Sequence, residues 1–388
     1  MFSNTRFQQV LEALPTGFFD QANEKFDAER YDKRFKLRDH VLALVFAQLT
    51  GARSLRELEE AFNAKAGTHY HLRVNALKKS TLADANARRN PEAFKYLVEN
   101  MMTLVKGRQK KKLKEFLCLI DSTPIQLGGR GFEWTEDNAI QRTQGLKVHM
   151  AINGHEATPM YLDITTPNVN DITPAKAITL EKGMTYVFDK GYYDYNWWNE
   201  IDEAQAMFVT RYKTHAALEH VADIELDSEK EHILKDERMK FKKYGRKNAY
   251  RPKEIRRVVV KRDDGSTLVL ATNDFDRSAA EIAEIYKGRW QIELFFKWLK
   301  QNLRVKKFLG RSKNAVLLQI YAAILSYLLL WMYQVRQGLK QQPLYLILAG
   351  LKYTIMDRIE TSTHRERYQK RKRREEELRL FQPELALV

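Results

Sequence analysis

The sequence predicts an α/β fold, in which a helical N-terminal part is followed by a mixed sheet with helices packed on it. Apolar residues recur at helical spacing through the first hundred residues, as in LRDHVLALVFAQLTG. Beyond Lys114, short continuous apolar runs such as FLCLI and TYVF replace that pattern, and such runs are typical of strands buried on both faces. The predicted order, β-β-β-α-β-α-β and then a long helix, is that of a mixed sheet covered by helices.

Length and charge narrow the class of protein. A chain of 388 residues, 44% hydrophobic and 30% charged, is long enough for two globular domains. The formal net charge of +16 predicts a polyanionic partner, with nucleic acid ahead of an anionic membrane surface. From Leu294 to Met356 there is no acidic residue, while seven Lys and Arg residues crowd the first third of this stretch. A run of one sign favours contact with phosphates.

Residues 1–105 are predicted to form a helical domain that binds DNA. Gly51 ends the third helix, and a capping pattern from Ser54 to Glu57 begins the fourth. Two helices joined by so short a turn form either a helix-turn-helix DNA reader or an ordinary helical hairpin, and the spacing does not separate the two. A further cap is predicted from Thr81 to Asp84. Residues 106–114, KGRQKKKLK, are predicted to be a basic linker.

The catalytic domain is predicted over residues 115–335. GLKVHMAINGHEATPMYLDIT indicates two strands turning at Asn153-Gly154, and PAKAITLEKG a short helix beginning at Pro174. An insertion is predicted at about 214–276, with a hairpin that turns at Asp264-Gly265. Residues 336–388 are predicted to be a basic, helical C-terminal region.

One segment raises the question of a membrane. Residues 314–335, NAVLLQIYAAILSYLLLWMYQV, are uncharged and long enough to span a bilayer. Basic residues flank both sides, and Gln, Ser and Tyr are spread through the segment. We therefore expect a buried core helix and a protein that does not enter the membrane.

Three carboxylates are the candidate catalytic groups. Asp121 and Asp189 each end a predicted buried strand, where open α/β sheets commonly place ligands. Glu293 lies on the long helix that follows the insertion. Converging carboxylates repel one another unless cations neutralise them, and ligation by oxygen alone suits Mg²⁺ or Mn²⁺. The sequence predicts two such ions, an arrangement that can activate a water or a 3′-hydroxyl in phosphodiester chemistry.

The helix that carries Glu293 is unusual in its distribution of charge. A capping box from Ser278 to Glu281 begins it, and at about 100° per residue its polar side chains form one stripe on a mainly apolar surface. The stripe is formed by Tyr286, Arg289, Glu293, Lys297 and Lys300. One interpretation is a core helix with a thin wet edge and internal ion pairs. The other is that its basic residues hold DNA phosphates beside the metal site.

The spacing Tyr286-x2-Arg289-x3-Glu293-x6-Lys300 resembles the Y-R-E-K signature of DDE transposases of the insertion-sequence-four type. Asp121-Ser122-Thr123 and Asp189-Lys190-Gly191-Tyr192 are similar to the first and second aspartate motifs of that family, and STLADAN to its N-terminal region. The resemblance implies a ribonuclease-H-like core with a β-rich insertion. It also implies that Arg211, in FVTRY, lies near the active site and contacts DNA.

The activity implied is that of a metal-dependent, cut-and-paste transposase. Such an enzyme acts on the terminal inverted repeats of its own element in double-stranded DNA and on a target DNA. Bringing two element ends together implies a dimer on DNA, and the setting would be the bacterial cytoplasm and its nucleoid. The alternatives are a catalytically silent DNA-binding repressor or decayed transposase, and a simple nuclease on the same fold.

Overall fold

The computed structural model describes residues 5–30, 34–108, 116–137, 144–213, 218–225, 232–241, 254–303, 305, 307–359 and 372. Most of the predicted linker at 106–114, and nearly all of the basic stretch beyond residue 359, lie outside these residues. The predicted boundaries between domains therefore stay predictions.

The N-terminal part is helical, as expected. Its helices are α1 (Arg6–Leu11), α2 (Phe18–Phe26), α3 (Leu37–Thr50), α4 (Leu55–Asn63), α5 (His69–Leu72), α6 (Lys79–Arg88) and α7 (Pro91–Arg108). Ser54 accepts a hydrogen bond from the backbone N–H of Glu57, and Gly51 ends α3 at a φ of +75°, so the predicted cap and stop are confirmed. The cap predicted at Thr81 is wrong. Helix α6 begins at Lys79 with Lys78 as its N-cap, so Thr81 lies inside its first turn.

The core sheet has the expected mixed order. Its strands are β1 (Phe116–Gln126), β2 (Glu136–Asp137), β3 (Gln144–Asn153), β4 (Pro159–Thr165), β5 (Met184–Phe188) and β6 (Met207–Arg211). β3 is antiparallel to both β1 and β4, whereas β5 is parallel to β1 and to β6. The order β4-β3-β1-β5-β6 is that of a ribonuclease-H-like sheet, and the hairpin at Asn153-Gly154 is confirmed.

Two helices connect these strands, α8 (Ile172–Ala175) and α9 (Tyr195–Glu203). The helix predicted to begin at Pro174 is wrong in extent. Pro174 lies inside the single turn of α8, and the chain then tightens, since the N–H of Ala177 bonds to the carbonyl of Pro174 and that of Ile178 to Ala175. Such i→i+3 bonds are typical of short turns that do not continue as an α-helix.

The insertion is β-rich, as expected. It supplies β7 (Leu218–Asp223), β8 (Ile233–Phe241), β9 (Ile255–Lys261) and β10 (Thr267–Thr272). The hairpin between β9 and β10 turns at Asp264-Gly265, with a φ of +79° at the glycine. β10 also pairs antiparallel with β6, so the insertion continues the catalytic sheet.

The last described helices are α10 (Ala279–Gly288), α11 (Trp290–Asn302), α12 (Lys313–Arg336) and α13 (Leu344–Thr354). By length and composition α12 is apolar enough to cross a membrane, but 94% of its apolar window is buried inside the protein. It packs against α3, α6 and α7, within the hydrophobic core that also covers one face of the sheet through Leu119 and Val187. It is a core helix, as the sequence predicts.

Candidate active site

The two predicted aspartates lie side by side on the neighbouring central strands β1 and β5. The prediction that Asp121 ends its strand is wrong, because pairing with β3 carries β1 on to Gln126. The register of β1 and β5 pairs Phe116 with Met184 and Leu119 with Val187, and the same offset brings Asp121 level with Asp189. In the same way β5 pairs Val187 with Val209 of β6, which brings Asp189 level with Arg211. Matched positions on neighbouring strands face the same side of a sheet. Asp121, Asp189 and Arg211 therefore form a row across three strands.

The carboxylate of Asp121 is largely buried. Its side chain is 21% exposed, and the backbone N–H of Ser122 donates to Oδ1 at 2.8 Å. Burial raises the pKa of Asp121 to about 6, and the negative charges of Asp189 and Glu293 act in the same direction. The hydrogen bond from Ser122 and the guanidinium of Arg289 only partly oppose the rise. Burial is therefore the main reason why the neutral form of Asp121 is favoured.

Asp189 closes the next strand. Its Oδ1 accepts a hydrogen bond from the N–H of Gly191 at 2.6 Å, which caps a short 3₁₀ turn over Lys190–Tyr192. The side chain is therefore fixed by the backbone that follows it.

Glu293 faces this row from α11. The predicted single helix from Ser278 is instead two, α10 and α11, because the chain tightens at Arg289, whose N–H bonds to the carbonyl of Tyr286. The capping box at Ser278 and Glu281 is confirmed. The guanidinium of Arg289 reaches both carboxylates: its Nη2 donates to Glu293 at 2.5 Å, and its Nη1 lies 3.6 Å from Asp121 Oδ2.

A polar cavity of about 360 Å³ opens beside these groups. Asp121, Thr123 and Glu293 line it together with Lys297 and Lys300. The ammonium of Lys300 donates to Thr123 Oγ1, which ties α11 to the sheet face that carries Asp121. Lys297 is exposed at the cavity wall. The two lysines supply positive charge directly beside the carboxylates.

The remaining predicted DNA contacts lie at the edge of this group. Tyr286 is 7% exposed, and its ring centroid is 5.9 Å from the guanidinium carbon of Arg289. Burial raises the pKa of the Tyr286 phenol, whereas the charges of Arg289 and Arg211 oppose the rise. Tyr286 therefore lies within reach of both arginines, mostly under Arg289 rather than on the open surface.

The donor set fits divalent cations. All three candidate ligands are carboxylates, and oxygen donors are those preferred by Mg²⁺ and Mn²⁺. Among the described residues, three acidic or imidazole ligand atoms lie within 4.8 Å of one another only at His220, Asp223 and Glu237 of the insertion. Glu237 is already paired there with Arg257 at 2.7 Å. The three candidate carboxylates stand farther apart, and the guanidinium of Arg289 contacts both Asp121 and Glu293.

Sequence reasoning missed a charged cluster behind the site. Asp171 accepts a hydrogen bond from Ser122 Oγ at 2.8 Å and lies 3.2 Å from the ammonium of Lys147. The available signal was the pair Lys147 and His149, polar residues at alternate positions of an otherwise apolar strand. The partner carboxylate comes from a loop, and nothing in the local sequence connects it to that strand.

Comparison with known proteins agrees with this arrangement. Residues 113–329 match the family model described as "Transposase DDE domain", and residues 3–74 match a "Domain of unknown function (DUF4372)". A putative transposase y4zB of Sinorhizobium fredii is 41% identical over 252 residues, which are 64% of this chain and 69% of the relative. A probable transposase for insertion sequence element IS5377 of Geobacillus stearothermophilus is 28% identical over 58% of this chain and 60% of the relative.

Among solved structures, a synaptic complex of piggyBac transposase with hairpin DNA aligns over 99% of this chain and 86% of that one. The TM-score is 0.46 at 12% identity, and so weak a likeness establishes no shared activity. The family model is decisive, because it matches more than half of the chain. The chain belongs to the DDE transposase family, whose members are enzymes that transpose DNA.

Proposed function

We propose that this transposase cleaves the ends of its own insertion sequence and joins the freed 3′-hydroxyls to target DNA, with Asp121, Asp189 and Glu293 as metal ligands. The observation that carries the proposal is the row of Asp121, Asp189 and Arg211 on adjacent strands, faced by Glu293 and the basic residues of α11. Acidic ligands beside phosphate-binding cations are what metal-dependent phosphoryl transfer requires.

The three carboxylates would hold two Mg²⁺ or Mn²⁺ ions. Such ions supply charge neutralisation and activation of the attacking water or 3′-hydroxyl. The chain's own contribution is rigidity: Asp121 and Asp189 are fixed by backbone N–H groups, and Glu293 by a helix tied to the sheet through Lys300. Burial, with smaller contributions from the charges of Asp189 and Glu293, raises the pKa of Asp121, and a bound cation would stabilise the charged form of a carboxylate so placed.

The basic side chains would bind the scissile strand. Arg289, Lys300 and Lys297 lie at the cavity or beside it, so a phosphate entering it meets three positive charges. Arg211 approaches from β6, and Tyr286 supports Arg289 from below. A phosphate drawn to Arg289 would compete with Glu293 for the guanidinium and so free that carboxylate for an ion.

The partner would be double-stranded DNA, both as terminal inverted repeats and as target. Because two ends must be cut and joined together, we propose a dimer assembled on DNA, acting in the bacterial cytoplasm at the nucleoid. The N-terminal helices would recognise the repeats. Helix α3 is buried along most of its length, and α4 carries three glutamates against one arginine, so the basic surface for the repeats would come from other N-terminal helices.

The decisive experiment removes each carboxylate in turn. Asp121→Ala, Asp189→Ala and Glu293→Ala should each lower strand cleavage in Mg²⁺ by at least about 10³-fold, because metal positioning is lost. Binding of labelled element ends should be largely unchanged. Glu284→Ala is the matched control, since Glu284 is an exposed glutamate of α10 paired only with Lys287. A fully active Glu293→Ala enzyme would end the proposal.

The same assay separates the alternatives. A repressor or decayed copy would shift the DNA and never cut it. A nuclease would release hydrolysed ends and give no joined product. The transposase proposal requires both cut ends and strand-transfer products that appear only with a target DNA.

A further inference from the structure

A second charged cluster lies on the other face of β1, directly behind the candidate metal site. Successive residues of a strand face opposite sides, so Ser122 points away from the face that carries Asp121. It lies level with His149 of β3 and donates to Asp171 Oδ1 at 2.8 Å. Lys147 holds the same oxygen at 3.2 Å and donates to the carbonyl of Val169 at 2.9 Å.

His149 completes the surroundings of this oxygen. Its Nδ1 lies 3.5 Å from Asp171 Oδ1, its Nε2 is 2.8 Å from Thr165 Oγ1, and its side chain is buried. Burial lowers the pKa of His149 to about 4, so the imidazole is neutral near pH 7. Lys147 is therefore the cation that balances Asp171.

Asp171 also reaches the loop of the second catalytic aspartate. A Cβ placed on Gly191 would stand 2.9 Å from Asp189 Oδ1 and 3.7 Å from Asp171 Oδ2, so the two carboxylates flank this glycine. Tyr192 is buried nearby, and burial together with the charges of Asp171 and Asp121 raises the pKa of its phenol. One carboxylate thus lies close to both aspartate motifs.

We propose that Asp171 is a positioning residue for the metal-binding carboxylates, which anchors Ser122 behind Asp121 and is kept electrically neutral by Lys147. The inference rests on the proposed function, because it concerns the same metal site. Asp171 is not itself a ligand: Oδ1 is engaged by a hydroxyl and an ammonium on the far face of β1. The pair keeps the backbone at Asp121 fixed without adding net charge to the site.

A double-mutant cycle that removes the charges of Asp171 and Lys147 tests this proposal. Removing the carboxylate leaves Lys147 uncompensated near the ions, so Asp171→Asn should weaken Mn²⁺ binding on the order of tenfold, for charges several ångströms apart in a partly screened site. Lys147→Met leaves Asp171 uncompensated and should tighten Mn²⁺ binding. The double variant should return close to the wild-type affinity. Mn²⁺ binding is measured by calorimetry on the DNA-free full chain, with unfolding midpoints recorded in EDTA.

Two control variants make the Mn²⁺ affinities of this cycle interpretable. Asp163→Asn removes a carboxylate that lies level with His149 on β4 but pairs with Lys95 at 3.8 Å, and it should leave Mn²⁺ affinity unchanged. Asp121→Asn should lose Mn²⁺ binding altogether. If wild type binds no Mn²⁺, or Asp121→Asn binds it normally, the proposed function fails and this inference with it. If those two behave as expected and Asp171→Asn binds Mn²⁺ like wild type, only this inference fails.

Two further outcomes would also overturn the proposed positioning role of Asp171. Equal losses in Asp171→Asn, Lys147→Met and the double variant would mean a purely structural cluster. Complete loss of binding in Asp171→Asn, not restored by Lys147→Met, would make Asp171 a ligand.

The anchoring role has its own readout. Ser122→Ala changes no charge, so it should keep the Mn²⁺ affinity within about twofold and lower the cleavage rate at saturating Mn²⁺ by roughly tenfold, the cost of a loosened catalytic strand. Ser122→Thr, which keeps the hydroxyl, should restore most of the rate. If the Ser122→Ala enzyme cleaves DNA as fast as wild type, the hydroxyl of Ser122 does not anchor the catalytic strand.

Discussion

Two arginines, one in the insertion and one at the catalytic cavity, each face carboxylates, and their surroundings differ. Arg256 is 3% exposed and Asp236 2%, and their two side chains meet through paired hydrogen bonds of 2.8 and 2.6 Å. The third nitrogen of Arg256 donates to backbone carbonyls, among them that of Asp274 at 3.0 Å. The pair is closed, and each of the three guanidinium nitrogens of Arg256 donates at least one hydrogen bond.

The hydrogen bonding of Arg289 is less complete. It is 15% exposed, meets Glu293 at 2.5 Å, reaches Asp121 only at 3.6 Å, and its Nε is buried without a hydrogen-bond partner. Glu293 is 32% exposed. A buried group left partly unsatisfied is costly, so it marks a place where another partner is expected. A closed ion pair therefore stabilises the fold, whereas an open one keeps its groups available for a ligand.

Breaking the closed pair should have the largest effect. Arg256→Ala leaves Asp236 charged and buried, and should lower the free energy of unfolding by about 3–5 kcal/mol. Urea unfolding measures it. The double variant Arg256→Met with Asp236→Leu should recover much of the lost free energy of unfolding. If the Arg256→Ala protein is as stable as wild type, the closed pair does not stabilise the fold.

Removing Arg289 from the open ion pair should lower activity and leave stability nearly unchanged. Arg289→Ala should lower strand cleavage about 10²-fold, as expected for loss of one positioned cationic donor. In Mg²⁺ its free energy of unfolding should change by less than about 1 kcal/mol, since its partners are partly solvated. Single-turnover cleavage and urea unfolding on the same samples test both statements. Loss of folding in this variant would make Arg289 structural.

Acid should reveal a buried histidine in the helical part. His40 is fully buried and bonds to Asn86 at 2.8 Å, and burial, with the nearby Arg89, lowers its pKa to about 3. A folded pKa below the unfolded value near 6.5 gives stability that is present above pH 6.5 and lost as pH falls toward 3. The loss should approach about 1.4 kcal/mol per pH unit from this group.

The comparison is between wild type and His40→Gln, which cannot titrate there. Unfolding is measured at pH 7.5 and pH 5. Between pH 7.5 and pH 5, the free energy of unfolding of the variant should fall by about 2 kcal/mol less than that of wild type. Equal losses in the two proteins would show that His40 is not the group responsible.

The smallest effect is expected at Gly191. An added Cβ would stand 2.9 Å from Asp189 Oδ1, so Gly191→Ala should displace that carboxylate and lower cleavage by about tenfold with little change in stability. Gly350→Ala in α13 is the control, because nothing lies within 4 Å of its Cβ. Equal activity of the two variants would mean that Asp189 tolerates the shift.

The sequence predicted the local features well. Asp121 and Asp189 were predicted as site residues because each follows a short apolar run, FLCLI and TYVF, and Glu293 because its helix carries polar residues on one narrow stripe. The break at Arg289 was not predicted, although Gly288, the last residue of α10, weakens the helix directly before it. Asp171 was missed because its three contacts come from separate segments, and only strand register brings them together.

The pairing of β10 with β6 gives the enzyme a mechanical property. Leu270 lies opposite Arg211, so the backbone ladder of the insertion runs without interruption into the strand beside Asp189. The insertion is therefore joined to the strand that ends at Arg211 by backbone hydrogen bonds, and a displacement of β10 would carry that side of the candidate site with it.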